Sequence, residues 1–236
     1  MNTKMNPKIL QDIGHTDLTL VDTSFFSCSD LAESLYEINS HSQLRTFVPT
    51  IQQWLPEHHL QLEQIVRNPK VFTVPGVPEE MTGLVIHLNQ VHHFQKRHLT
   101  THQHRKNTRK IDGPSNSGAL QTLKELAEVY QQIIDELKIY SGPSIPIPRN
   151  IEASVTDYAL VEAANGYLTQ NQNSQMLLFT QDKHLPKIWD KYCLTTHPGN
   201  DFKERLKINN CGSQPSSTPV VDIYQALQML KSRAKR

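Results

Sequence analysis

The chain has 236 residues, 37% of them hydrophobic, so it can bury one sizeable core and falls in the usual range for a single domain that carries an insertion. Its formal net charge of +1 argues against a globally basic nucleic-acid binder but leaves room for local basic patches. The three cysteines, at 28, 193 and 211, show no short paired spacing, so the sequence supports neither a zinc knuckle nor a disulfide framework and favours a reducing, cytoplasmic location.

Neither a signal peptide nor a membrane helix is predicted. The first 15 residues contain no continuous apolar stretch long enough for a signal peptide. No later run approaches the roughly 20 apolar residues that a bilayer-spanning helix requires. We therefore expect a chain with no membrane partner.

A strand followed by a helix is predicted near the start of the chain. The apolar, β-branched run LTLV at 18–21 indicates a strand that ends at Asp22. Ser29 or Asp30 can cap the helix that follows. Residues 22–29 are accordingly predicted to form the connecting loop.

A second strand-to-helix unit is predicted further along. A helix is expected over 51–66, with Pro56 delaying its start or kinking it. The run VFTVP at 71–75 predicts the next strand. Pro78 is well placed as the first residue of a new helix, whose apolar face extends to Val91.

Residues 92–118 are polar and break this helical pattern. Six basic side chains alternate there with histidines, which predicts the end of a helix followed by a mobile basic loop. A zinc or nickel site made by the histidines is one alternative, although no cysteine or carboxylate completes a ligand pattern, and a merely solvated loop is another. We predict that the basic residues contact RNA phosphates, which flexible cationic segments bind without a fixed geometry. These residues are Lys96, Arg97, Arg105, Lys106, Arg109 and Lys110.

Helical periodicity returns after this loop and ends at Gly142, which predicts an antiparallel helical pair around the basic segment. Another helix is predicted over about 152–168. The run MLLFT at 176–180 indicates a parallel strand buried on both faces, because five successive uncharged residues cannot alternate between core and solvent. A last strand is predicted around 219–221 and a C-terminal helix over 222–236.

Strands that alternate with helices predict an α/β fold with a mainly parallel sheet. We predict one domain over 15–225, with its core at 15–91 and 151–225 and a helical, basic insertion at 92–150. Residues 226–236 are predicted to form a basic tail.

Four acidic side chains are expected at one edge of this sheet. Asp22 and Asp182 follow predicted strands, Glu80 lies in the first turn of the helix after the second strand, and Asp157 lies early in the helix before the last buried strand. Ligands bind at the carboxyl ends of the strands in such sheets. Neighbouring carboxylates raise each other's pKa values unless a cation compensates, and hard oxygen ligands select Mg2+ or Mn2+. Such a site can activate water against a phosphodiester bond.

Four segments resemble the acidic motifs of the PIN-domain nuclease family. They are VDTSFF at 21–26, VPGVPEEM at 74–81, SVTDYAL at 154–160 and FTQDKHL at 179–185. Their order matches that of the family, and the resemblance covers roughly residues 17–91 and 151–195. It implies a PIN-like three-layer α/β sandwich with a central parallel sheet, and a magnesium- or manganese-dependent endoribonuclease that leaves a 5′-phosphate.

The resemblance also implies roles for individual residues. Asp22, Asp157 and Asp182 match the positions of catalytic metal ligands in the motifs. Ser24 and Thr180 match small hydroxyl positions beside the acids, where the family often uses them to support the ligands.

The fourth ligand position is assigned to Glu80 rather than to its neighbour Glu79. In a helix, Glu80 lies about 100° from Met81, which is predicted to be buried, whereas Glu79 lies about 200° away. Glu80 can therefore reach the sheet edge, and Glu79 is expected to face solvent.

Each acid also has an ordinary structural explanation. Asp22 and Asp182 can cap helices, and Asp157 can close a capping box with Ser154, a common device that contributes about 1 kcal/mol. The four together, in the order of the family, favour a functional site.

Other functions stay open at this point. The main alternative is a catalytically inactive RNA-binding or scaffold protein of the same fold, although occupation of all four acidic positions favours activity. A phosphatase of the haloacid dehalogenase type would need an aspartate two residues after Asp22, where Ser24 stands. DNA is an open alternative to RNA, because the metal chemistry does not distinguish the two sugars.

Possible partners follow from the same resemblance. Larger family members with a helical, basic insertion include enzymes that trim tRNA precursors, which makes tRNA a candidate substrate. The resemblance to toxin members also leaves room for an inhibitory protein partner, and a homo-oligomer is a further open expectation.

Overall fold

The structure, a computed structural model, describes residues 7–27, 59–105, 114–197 and 200–210, together with residues 52, 55 and 56. Several predictions lie outside the described residues. They concern the helix cap at Ser29 or Asp30, the strand at 219–221, the C-terminal helix at 222–236, and the basic residues Lys106, Arg109 and Lys110.

Helices separate the strands along the described chain. The strands are β1 Leu18–Val21, β2 Val71–Phe72, β3 Met176–Thr180 and β4 Leu206–Asn210. The helices are α1 Pro7–Gly14, α2 Thr23–Ser27, α3 Gly76–Arg105, α4 Pro114–Glu136, α5 Val155–Gln170, α6 His184–Thr196 and α7 Asn200–Glu204. Residues 59–66 are also helical, within the helix predicted over 51–66.

The strands form a single parallel sheet in the order β2-β1-β3-β4. Every residue of β1 and β3 is buried, so both faces of the sheet are covered at its centre. The predicted α/β class, the parallel sheet and the bounds of these two strands are confirmed. Because β2 lies on one side of β1 and β4 lies beyond β3, the strand order reverses between β1 and β3, which is where ligands bind in open α/β sheets.

The strand predicted at 71–75 is shorter in the structure. β2 ends at Phe72, and Thr73 forms a parallel bridge with Ile139. The N–H of Thr73 donates to the carbonyl of Lys138 at 2.9 Å, so the chain that returns from α4 extends the sheet edge. α3 then begins at Gly76, two residues before the predicted start at Pro78.

Residues 92–118 were predicted to form the end of a helix followed by a mobile basic loop, and the structure extends the helical part to 92–105 and 114–118. α3 continues through Arg105, and α4 begins at Pro114, so Lys96, Arg97 and Arg105 lie on a helix. Lysine, arginine and glutamine are good helix formers, and packing of α3 against α4 supplies the tertiary support that isolated helices lack. The predicted helical pair is confirmed, with longer helices.

The loop predicted over 22–29 already contains a helical turn, α2. Phe26 in this turn is fully buried, and the Phe25 ring lies 5.1 Å from the ring of Phe179 in β3. Packing of the Phe25 and Phe26 rings holds this turn against the sheet. The chain is therefore helical earlier than the predicted cap at Ser29 or Asp30 implied.

None of the helices in the described part of the chain is long and apolar enough to cross a lipid bilayer.

Candidate active site

Two of the predicted acids flank the point where the strand order reverses. Asp22 follows β1 directly, and Asp182 lies two residues beyond the end of β3. Since β1 and β3 are paired neighbours, their carboxyl ends bring Asp22 and Asp182 to the same edge of the sheet. This location was predicted from the sequence.

Asp22 is buried and held by two hydroxyl groups. Its Oδ2 accepts a hydrogen bond from the hydroxyl of Thr180 at 2.8 Å and another from the hydroxyl of Ser24. Ser24 Oγ in turn accepts the backbone N–H of Gln181 at 2.8 Å. The two hydroxyls predicted to support the acids therefore both contact Asp22 and fix its orientation.

The electrostatic environment of Asp22 disfavours its charged form. The pKa of Asp22 is raised from the usual 3.8 to about 6, mainly by burial, and the hydrogen bonds from Ser24 and Thr180 oppose this rise. The negative charges of Asp157 and Glu80 contribute to the same rise. Three of the four predicted acids are thus near enough to affect one another through space.

Asp182 is half-buried and precedes α6. Its Oδ1 accepts the backbone N–H of His184 at 2.6 Å, an Asx-turn, and its own N–H donates to Thr180 Oγ1 at 2.8 Å. The N-cap residue of α6 is Lys183, whose side chain makes no capping hydrogen bond, so Asp182 stabilises the turn before the helix rather than capping the helix as predicted. The same bonds link Asp182 to Asp22 through the single hydroxyl of Thr180.

Asp157 closes the capping box that the sequence predicted at the start of α5. Its Oδ2 accepts the N–H of Ser154 at 2.9 Å, and its own N–H donates to Ser154 Oγ at 3.0 Å. Burial raises the pKa of Asp157, and the charges of Asp182 and Glu80 act in the same direction. A carboxylate offers about four acceptor positions, so capping leaves room for a further ligand.

Glu80 is exposed, and its Oε2 accepts the hydroxyl of Thr23 at 2.5 Å. Met81 is fully buried, as predicted, whereas Glu79 and Glu80 are both exposed, so exposure does not distinguish the two glutamates. The contact with Thr23 was missed in the sequence, although this threonine lies beside Asp22 in the first motif. It joins the first turn of α3 to the start of α2.

A close approach between α3 and α5 brings Glu80 toward Asp157. Gly76, the first residue of α3, lies so near Thr156 that a Cβ at position 76 would overlap the threonine hydroxyl. Thr156 immediately precedes Asp157. The lack of a side chain at Gly76 therefore allows the two helix starts to meet at this corner of the sheet.

The donor atoms at this edge suit a hard divalent cation, since the acids offer only oxygen. Among the residues that the structure describes, no three His, Cys, Asp or Glu side chains are close enough together to hold one ion. Magnesium is commonly held by one or two carboxylates together with water, so this spacing is compatible with it. Metal binding by the four acids stays a prediction.

For the residues predicted to contact RNA, the structure gives the position of the backbone alone. Lys96, Arg97 and Arg105 lie in the second half of α3. Their contact with RNA stays a prediction.

Comparison of the chain with protein-family models, curated proteins and solved structures gives no significant match.

Proposed function

We propose that the chain is a metal-dependent endoribonuclease of PIN-like fold, in which Asp22, Glu80, Asp157 and Asp182 hold Mg2+ or Mn2+. The observation that supports this most strongly is the environment of Asp22. A buried carboxylate beside other acids is costly in its charged form, and a cation compensates that cost. The order of the four motifs supports the PIN-like assignment, and the reversal of strand order at this edge agrees with a binding site.

The residues of the site have separable roles under this proposal. A bound divalent ion supplies Lewis-acid stabilisation of the scissile phosphate and a more acidic water. Ser24 and Thr180 hold the Asp22 carboxylate in one orientation, because both hydroxyls donate to the same oxygen. Thr23 does the same for Glu80.

A catalytically inactive RNA-binding or scaffold protein of the same fold is the second candidate. It is favoured by the bonds that occupy the acids within the fold, namely the capping box of Asp157, the Asx-turn of Asp182 and the Thr23 contact of Glu80. In that case the acids serve folding alone.

Cleavage of a mixed RNA pool separates these two candidates. We expect the wild type to cut RNA with Mn2+ or Mg2+ and to stop when chelator is added. Asp22→Asn and Asp182→Asn are each expected to lower the rate at least about 100-fold, because loss of residues that merely support ligands already costs 10–100-fold. Precursor tRNA is the first defined substrate to compare with the pool.

Asp201→Asn provides the matched control, since Asp201 is an exposed aspartate on α7. It should cleave like the wild type. Metal-dependent cleavage that persists unchanged in both Asp22→Asn and Asp182→Asn would contradict the proposed site. No cleavage with either metal would favour the inactive protein.

A further inference from the structure

A row of lysines occupies the outer face of α6. Lys183 directly precedes the helix, and Lys187 and Lys191 follow at intervals of four residues. Residues at this spacing share one helix face, with about 6 Å between successive positions along the axis. All three lysines are exposed, whereas the opposite face of α6 is buried through Leu185, Ile188, Trp189 and Cys193.

A fourth cation is added by the segment that precedes α5. The Arg149 guanidinium lies 5.6 Å from the centre of the Tyr158 ring, and Lys191 Nζ donates to the carbonyl of Asn150 at 3.3 Å. The Tyr158 hydroxyl donates to the carbonyl of Ile151 at 2.8 Å, which fixes this segment on α5. Arg149 therefore lies beside the lysine row. We call Arg149, Lys183, Lys187 and Lys191 the α6 basic face.

The α6 basic face starts at the acidic site. Lys183 is the residue after Asp182, and Tyr158, which supports Arg149, is the residue after Asp157. From this end the lysine row follows α6 away from the sheet edge for about 12 Å, given the rise of a helix per residue. A chain lying on this face would reach the acids at one end.

The positive charge of this face is not neutralised by the described residues. The ion pairs found within the described part of the chain include none of the four basic-face residues. Asp190 on α6 is paired with Lys203 at 2.9 Å, and Glu152 is an exposed acid in the segment beside Arg149. The four cations thus face solvent, and the unpaired acids beside them are Glu152 and, at the end next to Lys183, Asp182 of the acidic site.

We propose that the α6 basic face binds the phosphate backbone of a single RNA strand that leads into the carboxylate site. This inference rests on the proposed nuclease function and names the path of its substrate. Single strands are held by cationic surfaces that follow successive phosphates, and regularly spaced lysines on a rigid helix provide such a surface. The face is separate from the basic residues of α3 predicted to contact RNA.

Binding is measured with fluorescein-labelled oligo(U) in the presence of chelator, so that cleavage plays no part. The Lys187→Gln/Lys191→Gln variant is compared with Lys124→Gln/Lys207→Gln, which removes two exposed lysines that are paired with acids elsewhere. We expect Kd to rise roughly tenfold for the first variant alone. The slope of log binding constant against log salt should become shallower by about 1.4, because each lost phosphate contact on a single strand removes about 0.7.

Two further variants guard against a change of structure. Lys187→Arg/Lys191→Arg should bind like the wild type because it keeps both charges. The single substitution Lys187→Glu should weaken binding because it reverses one charge. Equal binding by the Lys187→Gln/Lys191→Gln and control variants, or an unchanged salt slope, would overturn the proposal.

The binding assay tests the α6 basic face, and the cleavage assay tests the nuclease function, so either proposal can be rejected without the other. Cleavage that depends on Asp22 together with unchanged binding by Lys187→Gln/Lys191→Gln would reject the α6 basic face and leave the nuclease intact. If Lys187→Gln/Lys191→Gln alone loses binding, and the wild type cleaves RNA with neither metal, the α6 basic face is supported and the nuclease function is rejected.

Discussion

At the scale of single residues, the buried carboxylate of Asp22 lowers the stability of the fold when it is ionised. Its side chain ionises near 3.8 in an unfolded chain, whereas its pKa is about 6 in the fold. The folded state therefore loses stability relative to the unfolded state as the pH rises from about 4 to about 6, and the penalty is complete above that range. The hydroxyls of Ser24 and Thr180 reduce this penalty without removing it.

Replacing Asp22 by asparagine should stabilise the metal-free protein at neutral pH. Asparagine is uncharged and can still accept the hydroxyls of Ser24 and Thr180. We therefore expect a gain of up to about 3 kcal/mol at pH 7, because the fold raises the pKa of Asp22 from 3.8 to about 6. The gain should shrink to about 0.2 kcal/mol at about pH 3.5, where Asp22 is protonated in the fold and mostly protonated in the unfolded chain.

Urea unfolding at pH 7 and at pH 3.5, in chelator, measures this difference. Asp201→Asn is the control and should show no comparable gain at either pH. A stability difference between wild type and Asp22→Asn that is the same at both pH values would contradict the shifted pKa.

At the scale of the elements, α5 lies directly on the chain that returns from α4. The Asn165 side-chain amide donates to the carbonyl of Ile145 at 3.2 Å. Next to it, a Cβ on Gly166 would overlap the backbone carbonyl of Pro143. Glycine is thus required inside this helix by a close approach of two backbones, which no local pattern in the sequence reveals.

Two glycine-to-alanine changes should have opposite effects. Gly166→Ala forces backbone apart and should destabilise the fold by about 2 kcal/mol or more, despite the higher helix propensity of alanine. Gly83→Ala on α3 meets no atom within 4 Å and should stabilise it by about 0.5–1 kcal/mol. Denaturant midpoints measure both, and shifts of the same sign would contradict the packing at Gly166.

The elements also differ in how well the sequence predicted them. β1 and β3 were predicted to the residue, because continuous apolar runs mark strands that are buried on both faces. β4 was missed, since its sequence LKINN is largely polar and takes its strand conformation from pairing with β3. The bridge of Thr73 with Ile139 depends in the same way on a distant partner.

At the scale of the whole molecule, the parallel sheet brings acids from four separate segments to one edge. Asp22 and Asp157 are 135 positions apart in the chain, yet the charge of Asp157 raises the pKa of Asp22. Binding of a cation at this edge would stabilise only the folded state, because the unfolded chain does not assemble the site.

Addition of Mn2+ should therefore raise the stability of the whole fold. At a free metal concentration ten times Kd we expect about 1.4 kcal/mol, seen as a shift of the thermal midpoint. The shift should shrink below pH 6, where a proton on Asp22 competes with the ion. An equal shift in Asp22→Asn, or none in the wild type at any Mn2+ concentration, would argue against metal binding by Asp22.

The sequence by itself determined the α/β class, the two central strands and the positions of Asp22 and Asp182 at their ends, because these features follow from local hydrophobic runs and their order. The capping box of Asp157 is also local, since Ser154 lies three residues away. Only the tertiary structure decided the strand order, the Thr23 contact of Glu80 and the raised pKa of Asp22. Those features depend on which distant segments pack together and on how much water the packing removes.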